Sequence, residues 1–334
     1  MSAGPEEISR AVSCLRSGGL VAFPTETVYG LGAIATDERA VARVFALKGR
    51  PSGNPLIVHV SGEEMGRRIA SEWPEEATRL TQAFWPGPLT IVVKRGAVVP
   101  AIVSGGGATV AVRCPSHPLT LALIETLGEP IVGPSANRSG FVSPTSAAHV
   151  EDEFGAEIER GEVMVLEGGA CRAGIESTVV SLVGDEPTVL RPGVIGASEI
   201  ARVLGRTVSE RGGSESPETG SGAISSPGRM ASHYAPRTRA ILVERREIGR
   251  AVTAAEGPVA LLAIGGAGLP AVHRVILMPA DAIGYASSLY RALREGDASG
   301  AVVILIERPP TGGADAEIWR AIHDRLSRAT STRP

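Results

Sequence analysis

The sequence predicts an α/β protein in two parts: a first unit built on a mixed sheet, and a smaller second unit built on a parallel, Rossmann-like sheet. Three observations carry that expectation. Over roughly the first two hundred residues, short apolar runs bounded by Gly and Pro interleave with helical periods without a strict βαβ alternation, which calls for antiparallel pairs in the sheet. Residues 209–222 are a polar Gly/Ser stretch with no apolar anchor, the composition of a linker. Beyond it, apolar strands alternate with helical stretches, the signal of a small parallel sheet. The length of 334 residues fits about two domains at ~100–200 residues each. The expected boundaries are 1–206, a linking segment at 207–237, and 238–334.

The elements follow in order. Ile8, Val12 and Leu15 share one face of a helix over Pro5–Arg16, stopped by Gly18-Gly19. A buried strand over Leu20–Phe23 leads into a loop, Pro24 to Gly30. Asp37 is an N-cap for a helix to Leu47, residues 51–54 form a turn, and 56–60 read as a strand. Helical stretches at 63–70 and 74–84 precede strands at Leu89–Lys94, Thr109–Arg113 and Ile131–Val132. A helix near 146–152, strands near 163–166, 178–183 and 188–190, and a helix at 198–204 complete the first unit. In the second, strands near 240–243, 259–264, 275–277 and 302–306 alternate with helices near 246–254, 282–294 and 316–328.

Composition excludes several classes. A net charge of −3 gives no global basic field for holding nucleic acid through phosphates. Three widely spaced cysteines, Cys14, Cys114 and Cys171, form no disulfide framework and no zinc knuckle, and point to a reducing compartment. With no long apolar run, the chain is expected to be cytoplasmic, without a membrane partner. Only Lys48 and Lys94 are lysines among 33 basic residues, which draws attention to Lys48; Lys94 reads as a strand end.

Polar strand ends are where α/β sheets bind ligands. Lys48 and Arg50 lie at a helix C-terminus, where they either complement the macrodipole or hold phosphate, with Pro51 and Pro55 stiffening the loop. His59 is either a satisfied strand-end histidine or a site residue. Residues 133–145 bring Ser135, Asn137, Ser139, Ser143 and Thr145 together after a buried strand, as an ornate turn or as an anion cradle. Glu176-Ser177-Thr178, Arg113 and Arg191 add the same chemistry at other strand ends. Within these motifs nothing supplies a covalent nucleophile or a metal cage, so the pattern suits positioning and charge stabilisation of an anion.

Taken together these blocks resemble the YrdC family in its long two-domain form. The matching pieces, in family order, are FPTETVYGLG (23–32), KGRPSGNPLIVH (48–59), WPGPLT (85–90), RCP (113–115), PSAN (134–137), EST (176–178) and LRPG (190–193). SPGRMASHYAP (226–236) resembles the long form's interdomain motif. The resemblance implies a YrdC-like catalytic domain followed by a small second domain. It also implies a nucleotidyl-transfer reaction: L-threonine, bicarbonate and ATP give threonylcarbamoyl-AMP and pyrophosphate. The product would pass to proteins that modify an adenosine beside the tRNA anticodon. By the same resemblance Thr27, His59, Arg113, Ser135 and Ser177 bind threonine. Lys48, Arg50, Asn54, Thr109, Asn137, Ser143, Thr145 and Arg191 bind ATP, with His233 or Tyr234 closing from the interdomain segment as a lid. Lys48 and Arg50 are the expected catalytic cations, with Mg²⁺ arriving on ATP and no metal site of the chain's own. The alternative is an RNA-binding module of the same fold without adenylation activity, whose affinity would fall steeply with salt.

Overall fold

The computed structural model describes residues 4–210 and 234–331. The first unit consists of α1 (Pro5–Arg16), β1 (Leu20–Phe23), β2 (Gly30–Ile34), α2 (Glu38–Lys48), β3 (Ile57–His59), α3 (Glu63–Ile69), α4 (Glu75–Phe84), β4 (Leu89–Lys94), β5 (Thr109–Arg113), α5 (Pro118–Leu127), β6 (Ile131–Val132), α6 (Ala147–Glu159), β7 (Val163–Val165), β8 (Thr178–Ser181), β9 (Thr188–Arg191), α7 (Ala197–Leu204) and β10 (Ser209–Glu210). The second consists of β11 (Arg239–Val243), α8 (Ile248–Thr253), β12 (Val259–Ile264), β13 (Arg274–Met278), α9 (Ala282–Ala298), β14 (Val303–Glu307) and α10 (Ala316–Ala329).

Local chemistry explains several boundaries. The Asp37 carboxylate accepts from the N–H groups of Arg39 and Ala40, and Gly49 ends α2 at φ 60°, a left-handed position glycine takes without strain. β2 was not expected from its sequence, Gly-Leu-Gly-Ala-Ile. It forms because the Phe23 ring covers Gly30 and Gly32, where a Cβ would meet that ring at 2.6 and 3.0 Å. α5 was missed as well: it is apolar nearly all round and so shows no amphipathic stripe. α6 runs past its expected end to Glu159, with non-helical geometry at Phe154. Within the stretch expected to link the units, Ser209 and Glu210 form a short strand that pairs in parallel with Thr188 and Val189.

The strands of the first unit form one ten-stranded mixed sheet in the order β10-β9-β8-β4-β5-β3-β6-β2-β1-β7. One face carries the main core under the helices. On the other face lies a separate apolar strip of Ile57, Val92, Ala111, Val179 and Leu190. Ile57 pairs with Ala111 and His59 with Arg113, so alternate side chains of β3 and β5 point to that second face. The four strands of the second unit are all parallel, in the order β11-β14-β12-β13. The two units share an apolar cluster: Val28, Val142 and Ile175 of the first pack with Tyr234 and with Tyr285, Leu289, Tyr290 and Trp319 of the second.

Candidate functional site

The pocket opens on the face bearing the strip, between the β1–β2 loop, the ends of β3 and β5, and the loop after β6. Thr25, Thr27, Arg50, His59, Arg113, Ser135, Glu176, Arg191 and Tyr234 are on its wall, around about 530 Å³ of space that includes the open mouth. Three arginines therefore face one cavity, whose single lining carboxylate among the described residues is Glu176.

Each arginine is held in place. Arg113, 3% exposed, pairs with the Glu26 carboxylate at 2.7 Å and donates to Thr27 Oγ1 at 2.8 Å and to the Gly87 carbonyl at 3.2 Å. Burial pushes the Glu26 carboxyl up, but Arg113 and the Ser116 N–H more than offset it, so Glu26 stays ionised below the usual carboxylate range. Arg50 donates to the carbonyls of Asn54 at 3.1 Å and Pro55 at 2.8 Å, and burial lowers its pKa to about 10. Arg191 holds the Ser177 carbonyl and hydroxyl, both at 3.1 Å, and burial lowers its pKa too. His59 is 2% exposed; burial, then the Arg113 charge, drive its pKa well below 6.5, so the ring is neutral. Its Nδ1 lacks a hydrogen-bond partner among the described residues.

The expected residues divide into four groups. Thr27, Arg50, His59, Arg113, Ser135, Arg191 and Tyr234 meet on the pocket wall. Lys48, Ser177, Asn137, Ser143 and Thr145 form the layer behind it. Lys48 does not face the cavity: its ammonium donates to the Ser135 and Asn137 carbonyls, both at 2.5 Å, and fastens the loop after β6 from behind. Burial, then the nearby Arg50 charge, pull its pKa well below the usual lysine value. Ser177 Oγ is shared with Thr90 Oγ1 at 2.7 Å. Asn137 closes its own loop onto the Phe141 carbonyl at 2.9 Å, Ser143 donates to Glu176 Oε1 at 2.7 Å, and the Thr145 N–H donates to His149 Nδ1 at 3.2 Å. Thr109 and Asn54 are off the wall. Thr109 shares the face of Arg113 but starts β5, about 13 Å away at ~3.3 Å per residue, with the apolar strip between. His233, with the motif residues before it, lies outside the described residues.

Sequence reasoning missed the supports. Glu26 and Glu176 stood inside motifs without a role. Tyr290 and Arg325 looked like ordinary positions of α9 and α10, yet both bind Glu176 from the other unit. No local signal could reveal a partner so distant in sequence. Burial, with Glu26 adding to it, pushes the Cys114 and Cys171 thiols up to about 12, away from the thiolate form. Among the described residues no helix is long and apolar enough to cross a membrane.

Comparison with known proteins covers both units. A family model described as telomere recombination, spanning the Sua5, YciO and YrdC proteins, matches residues 13–193. A second, described as the C-terminal domain of threonylcarbamoyl-AMP synthase, matches residues 195–331. The threonylcarbamoyl-AMP synthase of Pyrococcus abyssi is 41% identical over 98% of this chain and 95% of its own length. That of Bacillus subtilis is 43% identical over 71% of this chain and 66% of its own. The crystal structure of P. abyssi Sua5 complexed with L-threonine superposes with a TM-score of 0.89 at 39% identity, covering 99% of this chain and 96% of that one.

Proposed function

The chain belongs to the threonylcarbamoyl-AMP synthase family in its two-domain form, and from that premise we infer that its pocket joins L-threonine, bicarbonate and ATP into threonylcarbamoyl-AMP and pyrophosphate. The carrying observation is the convergence of Arg50, Arg113 and Arg191 on one cavity beside a neutral histidine and hydroxyl groups. Arg113, already oriented by Glu26, presents a fork to the threonine carboxylate. Thr27, His59, Ser135 and, from the layer behind, Ser177 complete the threonine site. Arg50 and Arg191 take the triphosphate, with Lys48, Asn137, Ser143 and Thr145 shaping the loop that borders it. The apolar strip leading to Thr109 and Asn54 offers an apolar bed for the rest of the nucleotide. Mg²⁺ enters as part of the nucleotide substrate.

The chemistry follows from charge. The neutral threonine amine bonds to the carbon of bicarbonate with loss of water, or to carbon dioxide with loss of a proton, giving a carbamate. A carbamate oxygen then attacks the α-phosphorus in line as pyrophosphate leaves. This is nucleotidyl transfer driven by positioning and charge neutralisation, with no covalent enzyme intermediate. Burial of the arginines strengthens their field at the leaving pyrophosphate. Tyr234 borders the nucleotide from the interdomain segment. The product supplies the threonylcarbamoyl group for tRNA modification by other proteins.

The test is pyrophosphate release from ATP with and without L-threonine and bicarbonate, in the wild type, Lys48→Ala and Arg50→Ala. Release that needs both co-substrates and collapses in Arg50→Ala supports the synthase. Release indifferent to threonine would overturn it.

A further inference from the structure

We propose that Arg325 and Tyr290, both in the second unit, are positioning residues for the reaction: they fix the Glu176–Ser177 segment and the Tyr234 ring, so the pocket takes its working shape only when the second unit is docked. The proposal rests on the synthase reading and assigns the second unit a part in that site.

Arg325 is 0% exposed, in a helix whose neighbours Ile322, Leu326 and Ala329 are apolar core. Burying a guanidinium costs several kcal/mol before its partners are counted, and an apolar residue of similar size often serves stability as well or better. Interface stability alone is therefore a poor reason for an arginine here. Its bonds supply a better one. Nε donates to Glu176 Oε2 at 3.0 Å and Nη2 to the Glu176 carbonyl at 3.3 Å, while Nη1 is balanced by Asp324 at 2.9 Å. The Tyr290 hydroxyl donates to the same Glu176 Oε2 at 2.7 Å.

From the opposite side, Arg191 holds both the carbonyl and the hydroxyl of Ser177. Two adjacent residues are thus gripped from two units at once, and Glu176 is the one carboxylate on the wall, among the described residues, for a substrate ammonium to face. The same pair seats a second piece of wall. The Tyr290 ring stacks on Tyr234 at 5.6 Å and 29°, and the Arg325 guanidinium lies 5.7 Å from the Tyr234 ring centre. Tyr234 has φ 62°, a left-handed conformation that a non-glycine residue keeps only where its surroundings impose it. Of the other links between the units, Arg320 with Glu210 and Ser198 with Glu317 are exposed, and Arg294 with the Val142 carbonyl and Glu153 is partly buried; none of these residues is on the wall.

The experiment uses the full chain and the variants Tyr290→Phe, Arg325→Met and Arg325→Lys. It reads KM and kcat for L-threonine in pyrophosphate release, and hydrogen exchange of amides 175–178. Tyr290→Phe, which keeps the ring stack, should raise KM for threonine about fivefold with kcat nearly unchanged, the scale of one hydrogen bond. Arg325→Met should raise it roughly tenfold or more, and Arg325→Lys should recover part of that, keeping the charge without the fork. Amides 175–178 should exchange faster in each variant while those of β4 and β5 stay protected. A merely structural role would lower the active fraction, and so kcat, and leave KM alone. Folded variants with wild-type KM and unaltered exchange would overturn the proposal, and if Arg325→Met does not fold, Tyr290→Phe decides. Should the wild type show no threonine-dependent release, the synthase reading falls, and exchange at 175–178 still decides whether the clamp exists.

Discussion

Arg113 stands at the centre of the site because its positive charge is already answered by Glu26 before any substrate arrives. Replacing it therefore has two separable effects. Arg113→Ala should abolish measurable threonine binding by calorimetry, and should also destabilise the fold by roughly 3–5 kcal/mol, since Glu26 is left buried and unpaired. The double variant Arg113→Ala/Glu26→Gln should regain much of the lost stability in thermal unfolding and none of the binding. Recovery of both would remove Arg113 from the site. His59 gives a pH signature. Its folded pKa lies below the unfolded value near 6.5, so above that pH it is neutral in both states. As pH falls below about 6.5 the unfolded chain takes up a proton that the folded one refuses. Stability then declines by at most about 1.4 kcal/mol per pH unit from this group. Glu26 acts lower down, its contribution being lost as pH falls through its depressed folded pKa. The drop in melting temperature from pH 7 to pH 5 should be smaller in His59→Gln, and an equal drop would count against a neutral His59. Residue by residue, the sequence made the cations and hydroxyls of the wall legible, because they sit in loops rich in Gly and Pro after apolar strands. Their orientation was not legible. Lys48 reads as a phosphate ligand from its neighbours, yet its ammonium binds two carbonyls behind the wall, a geometry only the folded loop creates.

Among the elements, those with a clear period or cap were readable almost to the residue. α1, β1, β4 and β5 have the ends expected of them, and Asp37 caps α2. What escaped were elements whose reason lies in another element. β2 is a strand because Phe23 lies over its two glycines, and a glycine-rich stretch carries no β propensity of its own. That dependence is testable. In Gly30→Ala the new methyl would sit 2.6 Å from Phe23 Cζ, so the ring must move, at about 1–3 kcal/mol of stability. The loop before β2 carries Thr25 and Thr27, so threonine affinity should weaken alongside the melting temperature. A variant as stable as the wild type would show that the ring is free to shift.

For the molecule as a whole, the sequence announced two units and a parallel second sheet, and the parallel order of β11, β14, β12 and β13 agrees. It could not announce that the units share a core, because Val28, Val142 and Ile175 read equally well as loop residues or as core of the first unit alone. The closeness of the contact shows at Gly174, at φ 70°, where a Cβ would lie 2.4 Å from Ser287 Cα on α9. Gly174→Val should force the units apart, giving a larger radius of gyration in X-ray scattering and a separate calorimetric transition for each unit. One unchanged transition would mean that the interface yields without parting. Arg325 lies 149 positions after the glutamate it holds. A chain emerges from the ribosome in sequence order and its domains fold as they emerge. The first unit can close its sheet while α10 has yet to be made, so for that interval Glu176 lacks Arg325. A growing polypeptide thus carries an unfinished pocket, and the step that completes it coincides with the making of α10.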